Sequence, residues 1–177
     1  GMLLPQSVVR NCDLARIGFG QTVAVTGLQL ACAVAAAVNG GNYYLPHLVK
    51  AITSPEGGTE KIMPVLKTKV IGERASQMLA EMLEGVVTEG SGKKAYIEGY
   101  RVGGKTGTAQ KYEDGKIAAG KYVSSFVGFF PADKPRYLAL VTVDEPQGAY
   151  YGSVVAAPVA KEIFEDIIAI KNIQPYI

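Results

Sequence analysis

The residues best equipped for chemistry lie together in Tyr100–Tyr112, YRVGGKTGTAQKY. Lys105 follows Gly103 and Gly104 and precedes Thr106, Gly107 and Thr108. The ammonium supplies a point charge, the two hydroxyls donate and accept, and the glycines let a ligand's backbone approach. Two chemistries use such a set: a phosphate cradle and an acyl-transfer site.

Gly99–Thr106 matches G-x-x-x-x-G-K-T, the nucleotide phosphate loop. Leu138–Val143 followed by Asp144-Glu145 even looks like the apolar strand and acid that hold magnesium beside it. A phosphate loop, however, needs a helix that begins at the Lys-Thr, because that N-terminus holds the phosphates. Gly107 follows at once, and Ala109–Gly115 carries no apolar helical face. The span from Thr108 to Tyr122 is long enough for a crossover but is broken by Asp114-Gly115 and Gly120. The nucleotide-binding reading is therefore the weaker alternative.

As a strand, the same stretch alternates, with Lys105 and Gly107 on one face and Thr106 and Thr108 on the other. An edge strand of small residues lets an extended ligand add itself through main-chain hydrogen bonds. Lys105 then holds a carboxylate or tunes a nearby hydroxyl, and a backbone N–H serves an oxyanion. Lys-Thr-Gly is an element of the serine acyltransferases that react with penicillin.

The elements that must position this strand are legible around it. Thr26 and Gln29 form a T-x-x-Q capping box that opens a helix through Val38, and Asn39-Gly40-Gly41 stops it. Tyr43–Leu45, Leu48–Ile52 and Val65–Val70 read as short strands, with a turn at Pro55–Gly58. Ala75, Met78, Leu79, Met82, Leu83, Val86 and Val87 recur at helical spacing from Glu73 to Thr88, and this Met/Leu face reads as core. Beyond a turn at Glu113-Asp114-Gly115, Ser124–Phe130 and Tyr137–Val143 are apolar strands paired antiparallel across Pro131–Pro135. A last helix follows Ser153, its buried face being Ala156, Val159, Ala160, Ile163, Phe164, Ile167 and Ile168, with Pro158 in its first turn. The sum is an α+β fold, a three-stranded antiparallel meander with helices before and after it.

Composition narrows the field further. The 177 residues fit one domain or part of a larger one, and 48% are apolar, enough for a core. A net charge of +2 is too small to imply nucleic acid or an anionic membrane. Cys12 and Cys32 are too few for a disulfide scaffold; Cys32 reads as a buried thiol. His47 is the sole histidine, which argues against a zinc site and against a Ser-His-Asp triad. No stretch reaches the ~18 apolar residues of a membrane span, and Gly1-Met2 reads as a tag remnant before an engineered start.

Four ordered blocks carry a family resemblance: IGFGQTVAVTGLQLACAVAAAVNGG at 17–41, YRVGGKTGTAQK at 100–111, SSFVGFFPADKPRYLALVTVDEP at 124–146 and YYGSVVAAPVAKEI at 150–163. The chain resembles the C-terminal part of the transpeptidase domain of a class B penicillin-binding protein, of the cell-division or sporulation type. It departs at Gly27, where the family carries proline at the first helical position.

A larger departure is that no Ser-x-Asn is present, and that the sole Ser-x-x-Lys, Ser91–Lys94, lies in a glycine-rich break. An activated nucleophile needs a fixed, packed base, so Ser91–Lys94 reads as a loop. Residues 1–177 are thus expected to be a partial domain of the β-lactamase/transpeptidase-like fold, with both motifs upstream, and inactive alone.

The resemblance implies a parent that cross-links peptidoglycan stem peptides through a serine acyl-enzyme, binds β-lactams, and uses no metal or organic cofactor. It places the parent in the bacterial cell envelope, outside the cytoplasm and membrane-anchored through sequence beyond this segment. By the same resemblance Lys105 faces the missing serines, Thr106 and Thr108 contact the substrate carboxylate, the Thr108 N–H is an oxyanion donor, and Gly107 leaves room for the acyl group. Tyr150-Tyr151-Gly152 is expected to line the rim of the cleft. The outer edge of Tyr137–Val143, covered in the family by an upstream strand, is expected to seek a partner and give a strand-exchanged homodimer or aggregation. A non-catalytic relative that binds peptidoglycan or a partner is the remaining alternative.

Overall fold

The structure is a computed structural model that describes residues 1, 3–18, 20, 23–114 and 116–176. Met2, Gly115 of the hairpin turn, and Phe19, Gln21 and Thr22 of the 17–41 block lie outside the described residues.

After a short helix α1 (Asn11–Ile17), helix α2 spans Gly27–Val38. Its start is the expected capping box: the Gln29 N–H donates to Thr26 Oγ1 at 3.2 Å, and the Thr26 N–H to Gln29 Oε1 at 2.9 Å. It stops where Gly40 and Gly41 turn with φ of 88° and 87°. Gly41 is demanded twice over, because a Cβ there would lie 1.9 Å from the Ile71 carbonyl oxygen.

An arm follows, made of two small antiparallel pairs. β1 (Asn42–Tyr44) pairs with β4 (Leu66–Lys69), and β2 (Ala51–Thr53) with β3 (Thr59–Lys61). β2 and β4 are shorter than their apolar runs suggest because little covers them, β1 is shifted by one residue, and β3, Thr-Glu-Lys, has no apolar run to announce it. Leu48, Ile52 and Val65 are all exposed.

Helix α3 runs Glu73–Thr88, as its periodicity predicts. Its expected core face needs correction. Met78 is 47% and Met82 64% exposed, and the buried residues are Ser76, Ala80 and Val87. Periodicity marks an apolar stripe but not whether a neighbour covers it. Ser76 is buried because its hydroxyl accepts the Gly40 N–H at 2.9 Å, joining α3 to the end of α2.

The meander is β5 (Gly103–Glu113), β6 (Lys116–Phe130) and β7 (Tyr137–Asp144), antiparallel in the order β5-β6-β7. β6 begins well before the apolar run from Ser124, since main-chain pairing to β5 continues beyond the buried part. The last helix is split at Ala156 into α4 (Gly152–Val155) and α5 (Ala157–Lys171), with Pro158 in the first turn of α5. Here too the buried face is narrower than expected. Ala157, Ala160 and Phe164 are buried, whereas Val159 and Ile163 are 41% and 39% exposed. Cys32 is half-buried rather than buried.

The sheet divides the core. On one face Phe126 and Phe130 of β6 pack with Phe164 of α5, Val87 and Val102, all fully or almost fully buried. On the other face Phe129 packs with Val38 of α2, Ala80 of α3 and Ala132. The start of β5 is clamped by three separate ties. The Arg101 guanidinium donates twice to Glu84 of α3, at 2.8 and 2.6 Å. The Tyr100 hydroxyl donates to the Ile173 carbonyl at 3.0 Å, and the Tyr176 N–H to the Gly99 carbonyl at 2.8 Å.

Candidate functional site

Lys105, Thr106, Gly107 and Thr108 all lie within β5, which is an outer strand of the meander. A Lys-Thr inside a strand, with more strand after it, has no helix N-terminus to offer a phosphate. The nucleotide-loop reading of Gly99–Thr106 is therefore wrong for this fold. Asp144 and Glu145 likewise have another task. Lys111 of β5 donates to Asp144 at 3.0 Å and to Glu145 Oε1 at 2.8 Å. Those hydrogen bonds, Glu145 first, hold the Lys111 ammonium above its ordinary pKa.

The glycines before Lys105 serve the core rather than a ligand. A Cβ on Gly103 would lie 2.4 Å from the Phe129 ring, and one on Gly104 would lie 2.4 Å from the Phe126 ring. Cross-strand aromatic rings thus cover the bare backbone on both faces and fix the register ahead of the site.

Alternation then separates the polar groups as expected. Lys105 and Gly107 pair in register with Val127 and Ser125, on the face toward α2 and α3. That face opens onto a cavity of about 310 Å³, with Leu30, Val34 and Ala37 of α2 and Leu79 and Leu83 of α3 as its apolar walls. Lys105 is exposed at this cavity and donates to the Thr106 carbonyl at 2.8 Å.

Thr106 and Thr108 have fixed partners on their own side. The Gly152 N–H donates to Thr108 Oγ1 at 3.1 Å, and Ser91 Oγ lies 3.2 Å from Thr106 Oγ1. Gly152 is buried so tightly that a Cβ would sit 2.2 Å from the Ser125 carbonyl oxygen and 2.4 Å from that of Gly107. The start of α4 is thereby locked onto the centre of β5. Tyr150 and Tyr151 lead into it. The Ser124 hydroxyl, fully buried, donates to the Tyr150 carbonyl. Tyr122 stacks on Tyr150 with centroids 4.2 Å apart, and Tyr150 lies 4.5 Å from Tyr151. The Tyr150 hydroxyl donates to that of Tyr151 at 3.2 Å, which raises its pKa above the ordinary phenol value. The result is an aromatic shelf beside Thr108.

An edge strand with a lysine and a glycine over an apolar cavity, two oriented hydroxyls and an aromatic border leaves main-chain groups that an extended ligand could pair with. The model of the penicillin binding protein transpeptidase domain matches residues 1–165. The chain belongs to the penicillin-binding protein transpeptidase family. Within that family it is 43% identical to stage V sporulation protein D of Bacillus subtilis, over 99% of this chain and 28% of that protein. The transpeptidase domain of Burkholderia pseudomallei penicillin-binding protein 3 superposes with a TM-score of 0.83 at 31% identity, over 100% of this chain and 52% of that one. Mycobacterium tuberculosis penicillin-binding protein 3, solved with ampicillin, superposes with a TM-score of 0.87 at 26% identity, over 99% of this chain and 41% of that one. The chain thus spans about half or less of the relatives it matches.

Sequence reading located the motif but missed its supports. Ser124 and Ser125, Phe126 and Phe129, and the contact of Ser91 with Thr106 all went unassigned. Pairing Gly103–Thr108 against Ser124–Phe129 in hairpin register exposes most of them, since each small residue of β5 then faces its filler on β6. The contact of Ser91 has no such signal, being made by a loop 15 residues away.

Proposed function

We propose that this segment forms the Lys-Thr-Gly wall of a serine D,D-transpeptidase site that cross-links peptidoglycan stem peptides and is acylated by β-lactams. The observation that carries the reading is the placement of Lys105 and Gly107 over the apolar cavity, with Thr108 held by Gly152 on the reverse side of the same strand.

In this reading the cavity receives the upstream part of the domain, which brings the Ser-x-x-Lys nucleophile and the Ser-x-Asn motif to Lys105. Lys105 sets the field for those serines, Thr106 and Thr108 hold the substrate's terminal carboxylate, and the Thr108 N–H is an oxyanion donor. Gly107 leaves space for the acyl group. The upstream serine attacks the penultimate D-alanine carbonyl and D-alanine departs. An amine of a neighbouring stem peptide then takes the acyl group and frees the serine. Splitting nucleophile from wall removes the chemistry, so the 177-residue chain alone is inactive. The reaction belongs to the cell envelope outside the cytoplasm. Among the described residues no helix is long and apolar enough to cross a membrane.

Intact mass after incubation with benzylpenicillin tests the reading. The chain alone is expected to gain nothing, and the chain joined to its upstream region to gain one penicilloyl group on the upstream serine. A penicilloyl group on Ser91 would overturn the assignment, and binding of stem peptide with no acylation would favour a non-catalytic relative. The free side of β7, paired among the described residues to β6 alone, supports self-association through Tyr137–Val143. Sedimentation of the isolated chain is expected to show dimers, and a monomer at high concentration speaks against them.

A further inference from the structure

We propose that Ser91 is a positioning residue that aims the Thr106 hydroxyl at the ligand's carboxylate; the inference rests on the acyl-transfer reading above. Ser91 is the one serine of a Ser-x-x-Lys in this sequence, yet no hydrogen bond joins it to Lys94 among the described residues. Its partner is Thr106 Oγ1, 3.2 Å away.

The loop that carries Ser91 is pinned on both sides of it. The Gly90 N–H donates to the Gly85 carbonyl at 3.1 Å, and the Gly92 N–H to the Val86 carbonyl at 2.9 Å. Gly92 is buried, and a Cβ at Gly90 or Gly92 would lie 2.9 or 3.0 Å from the Val86 carbonyl oxygen. The backbone of Ser91 is therefore held against the end of α3 while its side chain stays exposed beside β5. Among the described residues the hydrogen-bond partner of its side chain is the hydroxyl of Thr106.

What that job does follows from hydrogen-bond inventory. A threonine hydroxyl has one proton to give and lone pairs to receive. The Gly152 N–H is solely a donor, so Thr108 Oγ1 must accept from it and keep its own proton for another partner. Either hydroxyl of the Ser91–Thr106 pair can donate to the other; with an acceptor-only carboxylate bound, Ser91 donates into Oγ1 and the Thr106 proton goes to the ligand. Accepting one bond strengthens the next in the chain. A carboxylate is acceptor-only, whereas its methyl ester is a far weaker acceptor without charge, so two proton-presenting hydroxyls favour the anion.

The test uses the polypeptide in which this segment is joined to its upstream region. Acylation is followed by stopped flow with benzylpenicillin and with benzylpenicillin methyl ester, separating the binding constant from the acylation rate. Ser91→Ala is expected to weaken benzylpenicillin about five- to tenfold, chiefly in binding, and the ester less than twofold, from the loss of one charge-directed hydrogen bond. Ser91→Thr keeps the hydroxyl and is expected to restore the wild-type ratio. Thermal melting of each variant reports the fold separately. Equal losses with both ligands make Ser91 a structural loop residue and overturn the inference, as does an unchanged Ser91→Ala. A wild type acylated by neither ligand overturns the proposed function, and this inference with it.

Discussion

The two faces of the meander are built on opposite plans. The face toward α5 is closed, with Phe126, Phe130 and Phe164 fully buried and in mutual contact, Phe130 and Phe164 having centroids 6.0 Å apart. The face toward α2 and α3 keeps one large buried side chain, Phe129, and leaves a cavity of about 310 Å³ under Lys105. One strand, β5, belongs to both. The closed face holds β5 still, and the open face exposes its lysine to whatever enters. Rigidity and vacancy are separated by the period-two alternation of a strand, which is why a single motif can be both anchored and accessible.

The closed face carries the largest expected loss. Phe164→Ala is expected to cost about 3–5 kcal/mol in urea unfolding, through lost burial and a cavity that the sheet cannot close. A loss under about 1 kcal/mol would mean that the α5 face is not what holds the sheet.

Adding one carbon to the closed face and two to the open one tests the contrast. At Gly128 a Cβ would meet ring atoms of Phe126 at 2.8 Å and Phe164 at 2.9 Å. Gly128→Ala should therefore destabilise by about 1–3 kcal/mol. Ala37→Val, which enlarges a half-buried residue of α2 beside the cavity, is expected to change stability by less than about 1 kcal/mol. Similar costs for the two, read from denaturant midpoints, would mean that the second face is as full as the first.

The smallest effect lies at the far end of the hairpin, where neither face is covered. Lys121 donates to Glu113 at 2.6 Å, which lowers the carboxylate's pKa and raises the ammonium's. The sign follows from both shifts. The pair's contribution is present from above the ordinary glutamate value to below the ordinary lysine value. It fades as pH falls through the lowered pKa of Glu113, and again as pH rises through the raised pKa of Lys121. Because both groups are exposed, the acid-limb loss should be slight and should vanish at high salt. A stability change between pH 5 and pH 3 that differs little between wild type and Glu113→Gln would confirm how little this end contributes.

Local chemistry was legible in the sequence wherever the cause was local. The box of Thr26 and Gln29, the limits of α3 and the turn at Pro131–Pro135 depend on neighbours in the chain, and each stands where the residues place it. The Lys105–Thr108 motif was legible too, because its glycines and hydroxyls sit in one run. Burial was not. Met78, Met82, Val159 and Ile163 sit at helical spacing on apolar stripes, yet are exposed because no described element covers them.

Helices α2 and α3, the three strands of the meander in their order, the family resemblance and the alternation of Lys105 with Thr106 could all be read along the chain, since period and capping are properties of adjacent residues. Folding in three dimensions is what brings Phe129 and Phe126 into the space beside Gly103 and Gly104, Gly152 and Ser91 to the two threonine hydroxyls, and an apolar cavity under the lysine. Those are contacts between residues far apart in the chain, and packing in three dimensions is the one place where they exist.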